Sequence, residues 1–238
     1  MLIAPTPQLE YTTLGDCHFV LAQRVLKDEN YEKFYASSHK FKLMDNGIYE
    51  NIRLRDDEII DAGKQARIDE LVAPDIPGDP KTTFKMTKDF LSIVPKEWQV
   101  MAVPHGKSVQ EYCDSFMKLS ALDEVHSLGI SILDLWKFTG SYRLRPMVIH
   151  YLYQQLDIVK DIHLLGLDEP LELFCYRHLA IRSVDTSLPF SLAQIRFPLY
   201  LVPDSHARTS EDATIETKYH HLLLERNIQY LKKICRGV

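Results

Sequence analysis

Four side chains able to do chemistry stand directly after short apolar runs: Asp45 closes "FKLMD", Asp75 "ELVAPD", His105 "AVPH" and Asp185 "IRSVD". Three carboxylates and an imidazole in that arrangement suit two kinds of reaction. A metal-dependent hydrolase would use His105, His163 and an aspartate as ligands. Metal sites of barrel enzymes, however, usually show paired histidines at close spacing, and the first apolar run offers only "FVLAQR". Chemistry at a glycosidic carbon needs one ionised acid to attack or stabilise the anomeric centre and a second to manage protons, and both are present. The second reading is preferred, with no metal and no cofactor expected.

Each of these residues also has a plain local use. Asp45 opens the turn signal in "LMDNGIYE" (43–50), where Asn and Gly tolerate positive φ and Asp can bond its own backbone. Asp75 before Ile-Pro-Gly is a turn former, and Asp185 before "TSLP" could cap a helix whose first turn holds Pro189. His105 before Gly106 could be a loop histidine bonded to backbone. What favours a site is the repetition of such residues at successive run ends.

The runs that would position them are "HFVLAQ" (18–23), "FKLM" (41–44), "ELVAP" (70–74), "WQVMAVP" (98–104), "VHSLGISI" (125–132), "DIHLLG" (161–166), "AIRSVD" (180–185) and "PLYLV" (198–202). Each has the length and bounding turn residues of a buried strand. Helix-period segments lie between most of them. The clearest is 108–120, with a capping box at Ser108 and Glu111 and an apolar face of Val109, Tyr112, Phe116 and Leu119. Pro80 and Pro170 fit first helical turns. A closing helix over 210–235 is expected to carry Ile215, Tyr219, Leu222, Leu223 and Ile234 on one stripe. Eight strands alternating with helices predict an α/β fold, a (β/α)₈ TIM barrel, with an open doubly wound sheet as the alternative. The loop 203–210, "PDSHARTS", is the candidate mobile segment.

At 238 residues, with 45% hydrophobic and 26% charged residues, the chain is expected to form a single domain over 1–238. No apolar run is long enough to span a bilayer, and the N-terminus lacks a basic region and meets Pro5 early. No membrane association and a cytoplasmic location are therefore expected. Cys17, Cys113, Cys175 and Cys235 are scattered and read as buried free thiols. The net charge of −5 argues against a surface coated in positive charge. Lys107, Arg143, Arg145, Arg208, Lys232, Lys233 and Arg236 remain as residues for phosphates or for plain solvated surface.

In their order along the chain these segments resemble the tRNA-guanine transglycosylases, and more closely the small phage relatives that insert 7-deazaguanines into DNA. "DNGIYE" resembles that family's D-S-G-G-F segment, "APDIPGD" its base-recognising acid, and "VPHG" its V-Q-G strand end. "LGIS" is similar to its Gly-rich loop, "HLLGLDEP" to its H-x-x-G-x-G-x-P element and "SVDTSLP" to its D-C-V-L-P stretch. The resemblance implies Asp185 as nucleophile at C1′ and Asp45 as the acid/base group. It implies Asp75 as acceptor for the Watson–Crick edge of the base, with His105, Gly106 and the backbone of Gly129 and Ile130 facing the base carbonyl and Tyr49 as an apolar wall. The implied partners are DNA, alternatively tRNA, and a 7-deazaguanine base such as 7-cyano-7-deazaguanine. Ile48 and His105 depart from the family's second glycine and its usual glutamine, and the family's Cys-rich zinc site has no counterpart. A nucleosidase acting on 7-deazaguanine nucleosides and a non-catalytic nucleic-acid-binding subunit are the competing functions.

Overall fold

Alternate residues of a strand point to opposite faces, and both faces of these strands are apolar, as parallel strands buried on both sides require. In "HFVL" and "KLMD", Phe19 and Leu43 belong to one buried cluster while Val20 and Met44 belong to another. The first cluster, with Val72, Met101 and Leu165, fills the inside of a curled sheet; the second packs between the sheet and its surrounding helices. Asp45 lies two residues beyond Leu43 and so shares the inner face.

The computed structural model describes residues 2–5, 9–48, 52–139, 143–155, 160–201 and 218–237. Its strands are β1 (Leu2–Pro5), β2 (His18–Leu21), β3 (Lys42–Asp45), β4 (Glu70–Val72), β5 (Gln99–Ala102), β6 (Ser127–Ser131), β7 (Asp161–Leu165) and β8 (Ile181–Thr186). All pair in parallel, in the order β1-β8-β7-β6-β5-β4-β3-β2. The outer strands β1 and β2 come side by side. The sheet therefore nearly closes into a barrel. The helices are α1 (Leu9–Thr12), α2 (Ala22–Val25), α3 (Glu29–Ser37), α4 (Asp56–Ala66), α5 (Pro80–Leu91), α6 (Val109–Ser120), α7 (Ile132–Thr139), α8 (Leu144–Gln155), α9 (Leu188–Gln194) and the closing α10 (Lys218–Arg236). None is long and apolar enough to cross a membrane.

Seven of the expected strands form. The run 198–202 does not. Leu199–Leu201 is instead a 3-10 turn, with the Leu201 N–H bonded back to the Pro198 carbonyl (3.1 Å) and the Leu199 N–H taken by Asn227 of α10 (2.8 Å). The place beside β8 belongs to β1, whose "LIAP" pairs from Leu2↔Ser183 to Pro5↔Thr186. In α6 Tyr112, Phe116 and Leu119 are buried as expected, while Val109 is exposed. Ser108 accepts the Glu111 N–H, and Glu111 reaches back one residue further than a capping box does, to the Lys107 N–H. On α10 the buried stripe is Leu223, Leu224, Ile228, Leu231 and Ile234, and Leu222 faces out. Residues 203–217, which include Arg208 and the expected mobile loop, lie outside the described residues. Cys175 is exposed, unlike the other three thiols. The inner face near the strand starts is polar: Arg182 bonds Glu70 (2.5 Å), which also accepts from Ser127 (2.5 Å).

Candidate active site

β3 delivers Asp45 to the C-terminal end of the barrel, and the following turn holds it there. The Asp45 carboxylate accepts the Gly47 N–H (3.0 Å), and the Asn46 side-chain oxygen accepts the Ile48 N–H (3.0 Å). Gly47 sits at φ +81°, where a Cβ would also fall 2.9 Å from the Gln23 Oε1, so the turn requires glycine. The Asn46 amide donates across to Asp75 (2.6 Å) and to the Ala73 carbonyl (2.9 Å), tying the ends of β3 and β4 together.

Asp75 has a second partner behind it. His105 Nε2 lies 2.5 Å from Asp75 Oδ2, and His105 Nδ1 bonds Asp134 in the first turn of α7. A neutral imidazole carries one N–H, whereas here both ring nitrogens face carboxylates, so the geometry calls for the doubly protonated ring. Burial alone would lower its pKa, but the bonds to Asp134 and Asp75 and their charges outweigh that and raise it from 6.5 to about 9. The His105, Asp75 and Asp134 side chains are 0%, 2% and 3% exposed, which makes this a buried charged triad.

Asp185, at the end of β8, is held differently. His163 Nε2 (3.1 Å) and the Gly166 N–H (2.9 Å) both reach its Oδ1. His163 Nδ1 meets the Ser183 hydroxyl at 2.7 Å. The Asp185 side chain is 13% exposed.

Asp45, Asp75 and Asp185 line one cavity of about 160 Å³. Phe19, Val72, Val103 and Leu165 give it apolar walls, and Asn46, Ser131 and Gly166 add polar edge. A cavity of this order accepts a single aromatic ring system. Its chemistry suits a flat, donor-rich ligand: apolar faces against the ring and carboxylates at its rim.

The structure thus brings together the three predicted aspartates and leaves other predicted residues off the cavity wall. His105 stands behind Asp75 with both nitrogens committed. Gly106 packs against α6, where a Cβ would come 2.5 Å from the Tyr112 backbone nitrogen. Gly129 faces the inside of the barrel, where a Cβ would fall 2.7 Å from Leu165 and 2.9 Å from Met101. The Ile130 side chain is in the outer cluster and its carbonyl is bonded by Arg145 (3.1 Å). The wall at that point is made by Ser131, Ile132 and Leu133. Tyr49 lies outside the described residues.

Arg145 is not available to phosphate, since it is buried and also bonds the Leu165 carbonyl (3.0 Å) and both Glu172 oxygens (2.6 and 2.8 Å). His163 and His105, the histidines weighed as metal ligands, are each bonded to separate aspartates. Among the described residues no three His, Cys, Asp or Glu side chains group as a metal site.

The sequence matches no protein-family profile and no curated protein. Asn46 and Asp134 were not singled out from the sequence. Asn46 could have been, as the neighbour of Asp45 in an Asp-Asn-Gly turn; Asp134 meets His105 across 29 residues of chain, and no local pattern signals it.

Proposed function

We propose that the chain is a base-exchange transglycosylase, replacing guanine in a polynucleotide with a 7-deazaguanine such as 7-cyano-7-deazaguanine. DNA, in phage-infected cytoplasm, is the preferred substrate and tRNA the alternative. The reading takes the barrel as a single-domain (β/α)₈ fold. The observation that carries it is the convergence of Asp45, Asp75 and Asp185 on one ring-sized cavity at the strand ends. The order of motifs along the chain supports the choice of family.

In this mechanism the target guanine is first turned out of its stack. Asp185 attacks C1′ through a carboxylate oxygen as the C1′–N9 bond breaks, giving a glycosyl ester while guanine leaves with a proton at N9 supplied by Asp45. The incoming 7-deazaguanine gives its N9 proton to Asp45 and attacks C1′, the ester C–O bond breaks, and Asp185 is restored. Asp75 accepts from the N–H groups of the base edge, steadied by Asn46 and His105. The carbonyl edge faces the Ser131–Leu133 wall.

The test is a denaturing gel with labelled DNA or RNA. Wild type is expected to retain label, and to lose it when the deazaguanine is added. Asp185→Asn should give no adduct, because an amide oxygen is a poor nucleophile. Asp45→Asn should form adduct more slowly, because guanine departs without its acid, and should then retain it when the deazaguanine is added, because the second base is not deprotonated. An adduct that persists in Asp185→Asn assigns the nucleophile elsewhere, and turnover of free nucleoside without adduct favours a nucleosidase.

A further inference from the structure

His163 is bonded on both sides, and neither bond serves the strand ladder. Its ring lies inside the barrel, 1% exposed, nearly parallel to Phe19 (6.1 Å between centroids, 10° between planes). Phe19 lines the upper cavity that holds Asp185, while His163 lines a second cavity of about 200 Å³ on the other side, with Ser183 and Arg182. His163 therefore sits between the two, directly beneath the residue to which it is bonded.

The register of β7 and β8 is built around this contact. Ile162 pairs with Ile181 but His163 with Ser183, a one-residue shift in which Arg182 is the extra residue. Such bulges re-aim side chains and are common beside active sites. Here the shift sets Ser183 opposite His163, with Asp185 two residues on, on the same face. The Ser183 hydroxyl can donate to Nδ1, which leaves Nε2 to carry the proton and donate it to Asp185 Oδ1. The Gly166 N–H reaches that same oxygen (2.9 Å). Oδ2 takes no hydrogen bond from a described residue.

We propose that His163, with its tautomer set by Ser183, is a positioning residue that locks Asp185 Oδ1 so that Oδ2 is the oxygen presented to the sugar carbon. This rests on Asp185 being the nucleophile. Two donors on one oxygen fix the carboxylate plane and leave the lone pairs of the other for attack, which is the orientation a displacement at carbon needs. His163 itself touches no substrate. Its loss is expected to slow formation of the covalent adduct without changing how well the base is held.

The experiment compares His163→Leu, His163→Gln and Ser183→Ala with wild type. It measures the single-turnover rate of adduct formation and, separately, the affinity for the free deazaguanine by equilibrium dialysis. Circular dichroism serves as a check on folding. His163→Leu should form adduct about 100-fold more slowly, the loss expected of a misplaced reacting group, with base affinity within about twofold of wild type. His163→Gln keeps a side-chain N–H for Oδ1 and should recover most of the rate; Ser183→Ala, which frees the tautomer, should fall between. Equal rates in His163→Leu and wild type would overturn the inference alone. So would equal slowing by Leu and Gln, or a matching loss of base affinity. Absence of adduct in wild type would overturn both the inference and the nucleophile assignment beneath it.

Discussion

On the β4–β5 side of the mouth a histidine is closed between two carboxylates, whereas on the β7–β8 side a histidine stands between a hydroxyl and one carboxylate. The first assembly meets the cavity through Asp75, and all three of its side chains are at most 3% exposed; in the second, the carboxylate at the cavity is 13% exposed. The difference separates two uses of the same pair of residue types. A fully buried ion triad holds an acceptor in place, and breaking it strands charges out of water. A carboxylate pinned by one oxygen at the cavity edge keeps the other for chemistry. In the proposed reaction these are the base-holding and bond-making sides.

The comparison can be broken most directly on stability. Replacing His105 with Leu leaves Asp75 and Asp134 buried without their shared donor and should cost about 3–5 kcal/mol. His163→Leu removes two ordinary hydrogen bonds and should cost about 1–3 kcal/mol. Urea denaturation of both variants measures this, and equal losses would erase the distinction. The pH dependence should follow the same side. Because the His105 pKa is raised from 6.5 to about 9, its contribution is complete below the lower value and is lost as pH climbs through the upper one. On the order of 3 kcal/mol should disappear across that window. Wild type, but not His105→Leu, should therefore lose denaturation midpoint between those two pH values, and a flat wild-type profile would contradict the charged triad.

Asp75→Asn should weaken binding of the free base by about 1.5–3 kcal/mol, since an acceptor-only carboxylate becomes an amide that also presents a donor. Calorimetry with the deazaguanine reads this, and unchanged affinity would take Asp75 out of the site. The smallest effect is expected at Gly129, on β6 between the two sides. Gly129→Ala drives a methyl into Leu165 and Met101. Such overpacking costs about 1–3 kcal/mol of stability where the neighbours cannot move. Because Leu165 also lines the cavity, base affinity should fall too, and a variant binding the base normally would mean that the cavity floor yields.

The barrel and the three cavity aspartates were legible because their signals are local: apolar runs ending in a polar residue, with turn formers beyond. The miscounted strand shows the limit. "LIAP" and "PLYL" have similar propensity, and what decides between them is that β1 fills the place beside β8 while Asn227 captures the Leu199 N–H. The triad was illegible for the same reason, as His105 and Asp134 lie 29 residues apart and neither residue's neighbours announce the other. Arg145 reads as surface charge in "YRLRPM", and only the placement of Glu172 makes it a buried cation.

That arginine also has a mechanical consequence. From α8, one guanidinium holds the carbonyls of Ile130 and Leu165, at the ends of β6 and β7, together with Glu172 in the turn Pro170–Tyr176. It acts as a brace, because these pieces separate only by stripping a buried cation of its partners. Across the mouth, the β3 turn is tied by hydrogen bonds within 45–48, by the Ile52 N–H to the Gly47 carbonyl (3.2 Å) and by the Asn46 amide to β4. A ligand entering the cavity therefore meets, at the ends of β6 and β7, an arc of the rim that is braced by a buried charge.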